Sequence, residues 1–474
     1  MEKEAARSVA DEGGDPLNQT GTKFSVADSA VRNDSLFWKE FRPIPLTPEE
    51  HLTLQIRDSI LGTQKRRSDS VRVVRRQPQP VKDILRGKTY RSKFGRFRFG
   101  YGGLIDGSML DYNTVDGLAY GQNVRINWKP DSVHTLRSNL DLSYAFHRNA
   151  GMLRWDTDLL YAPRARGKVA LYLRYASADF NGTGGISRPT NMAYTLFLRE
   201  NHLRMAEQVE AALYNRIDIT NGLVLTAQVA AGEYRPLENH SDFSFFWQNR
   251  RDFAPNLPAD LASDSPFLQR QRHLTGEIRL DFTPRQPFIY SNYRKDLRDS
   301  DWPTFSLVYR QALPVDDGWS DFSMLEMDIA QRVDVGLLSS LDWTVSAGAF
   351  LQADRIHFSQ FRHAKSNPLW VDMAGFDQAL IFPEYYASST SQHWLQAHAR
   401  WNSSYLLIKF LPWFSERLWK ESLHLGMLHT PELPRYVQVG YSLDELFFLM
   451  DVGVFAGFRD WEFQGVQARL NFRF

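Results

Sequence analysis

The sequence predicts an all-β fold, a transmembrane antiparallel β-barrel of about sixteen strands, with about fourteen as the alternative. Three observations carry this. First, in the last stretch, residues 461–474, Val466, Ala468, Leu470, Phe472 and Phe474 alternate with Gln467, Arg469, Asn471 and Arg473, and a period of two puts the two sets on opposite faces of a strand. Second, more than a dozen further segments of about 9–14 residues alternate in the same way, the length needed to cross a bilayer at a tilt. Third, their polar faces carry charges of both signs, which a dry sandwich core would not tolerate and a wetted lumen would.

The totals agree. Aromatic residues make up 14% of the chain, as expected where aromatic girdles mark two membrane interfaces. Lys+Arg 56 against Asp+Glu 55 leaves no charge excess that would argue for nucleic acid. With Cys 0 there is no disulfide framework and no thiolate chemistry. No apolar run is long enough for a spanning helix, since residues 446–458 are interrupted by Asp451.

In chain order, residues 1–34 are polar and rich in Gly, Asp and Ser, and read as a disordered N-terminus. This acidic start lacks the apolar core of a signal peptide. A barrel needs export, so the chain is expected to begin inside a longer precursor or at a misassigned start. Residues 35–93 read as a periplasmic segment. Within it Thr47, Pro48, Glu49 and Glu50 form a capping box with proline at the first helical position, which predicts a helix at about 48–62.

Residues 65–93 are a basic linker, and the run on to 98 holds thirteen Lys/Arg against Asp69 and Asp83. Two readings stand for it. One is a solvated linker. The other is a juxtamembrane segment in which Arg75, Arg76, Arg86, Lys88, Arg91 and Lys93 meet lipid headgroups, each cation worth roughly 1 kcal/mol at an anionic surface.

The barrel is expected over 94–474. Strands are read near 115–128, 135–147, 152–161, 168–179, 208–219, 222–234, 270–283, 303–313, 320–334, 340–354, 392–403, 420–429, 435–442, 448–458 and 462–474. These are fifteen. If the last runs inward, a chain entering from the periplasm needs one more outward strand, which residues 94–108 can supply. The same bookkeeping puts loops 181–207, 235–269 and 355–391 outside and short turns such as 130–134, Asn221-Gly222 and 336–339 inside. The inner connections 284–302 and 404–419 are longer than usual, and the second reads as an amphipathic helix at the membrane surface.

Seven stretches then stand together: FWKEFRPIPLTPEE (37–50), YNTVDGL (112–118), RPLEN (235–239), WPTFSLVY (302–309), IHFSQFRH (356–363), YYASSTSQHWLQAHARW (385–401) and PRYVQVGYSLDELFFLMDVGV (434–454). In this order the chain, over about 35–474, resembles an outer-membrane barrel family of Bacteroidota built on a domain of unknown function. Its members often bear the name carboxypeptidase-like regulatory domain-containing protein. The resemblance implies an upstream signal peptide and a small regulatory sandwich, which this sequence lacks. It implies no peptidase and supplies no catalytic residues. The aromatic end, Phe472 and Phe474, resembles the signal read by the outer-membrane assembly machinery.

Chemistry offers little. No G-x-S-x-G elbow is present. Of His393 and His398, near Ser391, strand parity puts His398 on the polar face, against a barrel-embedded lipid hydrolase. His357, His363 and His240 have no ligand spacing with a mechanism and read as solvated loop histidines, so no metal or other cofactor is expected. What remains is a set of charges expected to face the lumen: Arg125, Asp141, Arg174, Glu277, Arg279, Asp281, Glu326, Asp328, Arg332, Arg400, Arg469 and Arg473. Either they pair to stiffen the interior or they select permeating solutes, and their mixed signs argue against a strongly ion-selective pore.

The sequence therefore points to a Gram-negative outer-membrane barrel with a periplasmic N-terminus. A non-enzymatic role in assembly, transport or surface-protein maturation leads, a passive porin is second and a lipid hydrolase third. The expected partners are outer-membrane lipid, the assembly machinery during biogenesis and other envelope proteins, without nucleic acid.

Overall fold

Alternation of apolar and polar residues sets the architecture. A computed structural model describes residues 80–472 apart from 94, 132, 259–260, 292, 374, 377 and 408–418. The expected helix at 48–62, the disordered start and the amphipathic helix within 404–419 lie wholly or largely outside the described residues. The chain divides into two units, residues 1–85 and 86–474. A short helix, α1 (Pro80–Arg86), spans the division, with Asp83 in its first turn and Arg86 in its last, as the helix dipole favours.

The second unit is all-β. It begins with β1 (Lys88–Arg91), β2 (Phe97–Tyr101) and β3 (Leu110–Asn113). There follow β4 (Gly117–Trp128), β5 (Thr135–Ala145), β6 (Ala150–Ala162), β7 (Gly167–Asp179), β8 (Met205–Thr220), β9 (Leu223–Pro236) and β10 (Gln271–Phe282). A small separate hairpin, β11 (Phe288–Ser291) and β12 (Arg294–Leu297), lies in the long connection after β10. Then come β13 (Thr304–Ala312), β14 (Asp321–Asp334), β15 (Ser339–Arg355) and the two-residue β16 (Val371–Asp372). Last are β17 (His393–Ser403), β18 (Lys420–His429), β19 (Tyr436–Leu446), β20 (Met450–Arg459) and β21 (Glu462–Phe472).

Nineteen of these strands form one sheet, antiparallel between neighbours except where β16 joins β21. β2 and β3 pair with opposite halves of β4 and act as one strand. With β1 outside that edge and β16 a loop segment, sixteen wall strands remain. All fifteen expected strands are present to within a few residues. The sixteenth, expected at 94–108, is split by residues 102–109, and the sheet reaches back to β1 inside the stretch read as linker.

The register shows the two faces. Leu280, Leu307, Met327, Ala347 and Leu395 stand side by side across five strands, and of these Leu307, Met327 and Leu395 are exposed. One residue along, Asp281, Ser306, Asp328, Ser346 and Gln396 form the opposite row. A belt of exposed Leu and Met is what lipid demands and water penalises. At the tight β8–β9 hairpin Gly222 takes φ +79°, which the turn requires and a side chain would strain.

The sheet curls round a common interior, because one segment touches wall strands far apart in sequence. Within 356–392, Tyr385 reaches Asp179 on β7, Arg362 reaches Glu326 on β14 and Ile381 reaches Gln438 on β19.

Candidate functional site

The interior at the long-loop end is filled by the chain itself. Three loops meet there: 180–204, which carries α2 (Arg188–Ala193) and a π-helical turn at Tyr194–Leu198, 237–270, and 356–392. Their apolar side chains form shared clusters. Val115, Ile186, Tyr194, Leu203, Leu369 and Tyr385 make one, and Phe180, Ala206, Leu268 and Phe358 another. Gly453 and Gly457 on β20 leave the room in which Phe376 and Phe382 lie against the wall. Burial of this kind stabilises at roughly 25 cal/mol per Å² of apolar surface.

Polar joints fix the plug. The Asp179 carboxylate accepts from the Tyr385 hydroxyl at 2.7 Å and from the Tyr386 hydroxyl at 2.6 Å. Burial first, and the nearby carboxylate second, push both phenols well above the usual tyrosine range. Asn256 accepts from Met205 N–H at 2.8 Å and donates to the Met205 and Leu237 carbonyls, each at 2.7 Å, tying two loops to the start of β8. Gln438 accepts from Ile381 N–H at 2.8 Å and donates to the Ala379 carbonyl at 2.7 Å. Around the rim, Arg148 bridges Asp116 and Glu207 at 2.8 Å each, and Arg235 meets Glu207 at 3.0 Å.

His357 and His363, read as solvated, are buried. Burial, aided by neighbouring positive charge, depresses both to about 3. His357 lies face to face on Tyr234, with centroids 4.6 Å apart, and His363 holds Ser389 and the Phe358 carbonyl. His240 remains exposed, and His398 lines an inner cavity.

Below the plug two adjoining cavities, of about 620 and 1230 Å³, share Thr283, Thr304, Thr344, Gln378 and His398. The larger runs from Phe376 and Ala379 of the plug to Leu337 and Ser404 at the short-turn end. The walls of the smaller cavity bring together Arg279, Asp281, Glu326 and Asp328, and those of the larger hold Arg332 and Arg400. Arg279 contacts Asp281 at 2.7 Å and Asp328 at 3.8 Å, Glu277 takes Arg310 at 2.8 Å, and Glu326 takes Arg362 of the plug at 3.2 Å. Arg400 meets Asp444 at 2.8 Å. Arg332, more exposed, stands 3.8 Å from Asp342 and 3.9 Å from Asp334.

The remaining residues lie elsewhere. Arg174 pairs with Asp156 at 2.5 Å, Asp141 accepts from Asn123, and Arg125 stands opposite Asn139. Arg469 is wholly buried, 3.4 Å from Asp372. Phe472 is paired in register with Met450. Arg473, Phe474, Arg75 and Arg76 lie outside the described residues, while Arg86, Lys88, Arg91 and Lys93 are exposed.

Sequence reasoning missed the plug joints Asp179, Tyr385, Tyr386 and Asn256, and the buried Asp218, which receives Arg166 at 2.9 Å and Lys295 of the inner hairpin at 2.9 Å. A usable sign was there, since YNTVDGL, RPLEN, IHFSQFRH and YYASSTSQHW all carry rim or plug contacts.

A sequence-family model described as "Family of unknown function (DUF5686) C-terminal domain" matches residues 82–443. No curated protein matches. Among solved structures, the chain is similar to BamA from Haemophilus ducreyi lacking POTRA domains 1-3, at 9% identity and TM-score 0.43, over 81% of this chain and 73% of that one. It is also similar to a mutant of the Rh. blastica porin, at 9% identity and TM-score 0.32, over 75% of this chain and 91% of that one.

Proposed function

Since the chain belongs to the DUF5686 family through its C-terminal domain, whose function is unknown, we propose that it is a non-enzymatic outer-membrane barrel. Its N-terminus is periplasmic, and it serves membrane assembly, transport or surface-protein maturation, not passive diffusion. The observation that supports it is the plug: residues 356–392 reach β7, β14 and β19 from within and bury the side chains of Phe358, Leu380 and Ile381. A pore meant for free passage has no use for a buried aromatic core across its lumen.

The belt of exposed Leu, Met and aromatic side chains supports the membrane location, and the exposed Arg86, Lys88, Arg91 and Lys93 support headgroup contact at one rim. The inner cavities, lined by charges already paired with each other, support the stiffening role over ion selection.

Planar-bilayer recording of the purified full chain tests the proposal. The expected result is no steady conductance, with bursts of current appearing in a Tyr385→Phe/Tyr386→Phe variant whose plug has lost its Asp179 anchor. A steady open pore in the unaltered protein overturns it in favour of a porin.

A further inference from the structure

Among the described residues, the barrel wall is not joined to itself by backbone. β21 pairs along its length with β20, and its other edge carries only β16, in parallel, at Leu470 and Asn471. Leu470 N–H donates to the Trp370 carbonyl at 2.7 Å. Amides of a strand alternate sides, so those of Val466 and Ala468 point to this same edge. Among the described residues, no strand or backbone carbonyl meets them. Among the described residues the first edge carries no further strand either, since there β3 pairs only with β4 and β1 only with β2.

What crosses the gap is side chain. On β3, Asp111 meets Arg188 of α2 at 3.0 Å. Ser187 and Thr190, at the start of the same helix, reach the Asp372 carboxylate on β16. Asp372 in turn meets Arg469 of β21. β16 also keeps the alternation of the wall: Val371 stands beside Leu470, and buried Asp372 beside buried Asn471. The plug thus lends the wall a two-residue strand. Above it, Val466 and Phe463 are 62% and 60% exposed on an edge whose Val466 and Ala468 amides have no partner among the described residues, and where hydrocarbon covers such an edge no water satisfies them.

We infer that this joint is a docking site for an extended segment of another polypeptide whose residues alternate apolar and polar. Such a segment adds to β21 by backbone hydrogen bonds, takes up the Val466 and Ala468 amides, and displaces β16, which stands in for it. Its apolar residues continue the lipid belt, and its polar residues turn to the lumen as Asp372 does. The inference rests on the proposed role in handling envelope proteins and names the form in which they are bound.

The chain has no cysteine, which makes the test clean. Full-length protein in phospholipid vesicles carries a photo-crosslinking residue at Val466, or at Ile278 as a control that is equally lipid-facing but lies between two paired strands. The probe is a synthetic peptide with the sequence EFQGVQARLNF, compared with a scrambled peptide lacking the alternation. The expected result is an adduct at Val466 about tenfold above both the Ile278 control and the scrambled peptide. A Val371→Cys/Leu470→Cys disulfide that locks β16 in place abolishes it, and reduction of the same protein restores it and so reports that the variant folds.

Equal labelling at the two positions, equal labelling by the two peptides, or labelling that survives the lock overturns the inference. So does quantitative disulfide formation in a Leu110→Cys/Val466→Cys variant, because the chain's own first edge would then close the wall. A non-conducting barrel that captures no peptide sinks only this inference, whereas a steadily conducting one sinks the proposed function.

Discussion

Between β10 and β15 a backbone amide finds its partner on the next strand, whereas within the plug it often finds a side chain. Ile278 sits in an unbroken ladder between β9 and β13. Ile381 N–H instead bonds Gln438, Gly375 N–H bonds Asn471, and Arg204 N–H bonds the Tyr386 hydroxyl. The wall is held by a repeating pattern that any strand-forming residue maintains, so its specificity lies in which face is apolar. The plug is held by individual polar groups, each irreplaceable at its place. Substitutions should therefore act by different rules in the two regions.

The largest effect is expected at Asp372→Ala. Asp372 and Arg469 are both buried, and removing the carboxylate leaves the guanidinium without its counter-charge. Stranding one partner of a buried pair costs about 3–5 kcal/mol. Hydrogen exchange should show lost protection in 366–372 while β13–β15 keep theirs. Equal loss in both regions would break the contrast.

Next is Ile278→Arg, which puts a charge into the lipid belt and should cost about 2–4 kcal/mol near the bilayer midplane. Refolding yield into vesicles should fall while the plug, once formed, protects as before. A neutral effect would show that Ile278 does not face lipid.

Acid should loosen the plug before the wall. His357 and His363 are held near 3 by burial, against an ordinary value near 6.5. The released plug therefore binds protons that the docked plug refuses. Stability is complete above about 6.5 and falls as pH drops towards 3, by at most about 1.4 kcal/mol per pH unit for each histidine. This is the contribution of the two histidines themselves: His357 faces Tyr234 and His273, and His363 faces Ser389, the Phe358 carbonyl and Arg362, which pairs in turn with Glu326. Exchange of 356–363 measured from pH 7.5 to 4.5 should rise, and a His357→Gln/His363→Gln variant should flatten the rise.

The same contrast explains what the sequence could disclose. Wall strands repeat every two residues, so Leu280, Leu307 and Met327 announce their common face from local spacing alone, and all fifteen expected strands follow. The split between β2 and β3 does not, because Gly100, Gly102 and Gly103 give no alternation to read. The plug has no period. That Tyr385 and Tyr386 meet Asp179 depends on a contact spanning over 200 residues, and the burial of His357 follows from Tyr234 and Phe180, neither near it in sequence. Charge was legible on one face of each strand, but pairing was not. Arg279 finds Asp281 locally, whereas Arg469 finds a loop residue, Asp372, that no spacing rule links to the last strand.

The smallest effect separates two arginines that the sequence treats alike. Arg332 and Arg400 both sit on the polar face of wall strands and both line the larger inner cavity. Arg332 is 67% exposed and its carboxylate partners stand at 3.8 and 3.9 Å, the range of a screened surface pair. Arg400 instead meets Asp444, itself 3% exposed, at 2.8 Å. Arg332→Ala should change stability by under about 0.5 kcal/mol, and ~0.5 M salt should erase even that. Arg400→Ala strands a nearly buried carboxylate and should cost more than about 1 kcal/mol, with little response to salt. Urea unfolding of the two variants in the same detergent compares them directly. If Arg332→Ala proves the more costly, the inner cavity is drier around β14 than its exposed side chains indicate, and the division between a wetted lumen and a buried plug has been drawn at the wrong height.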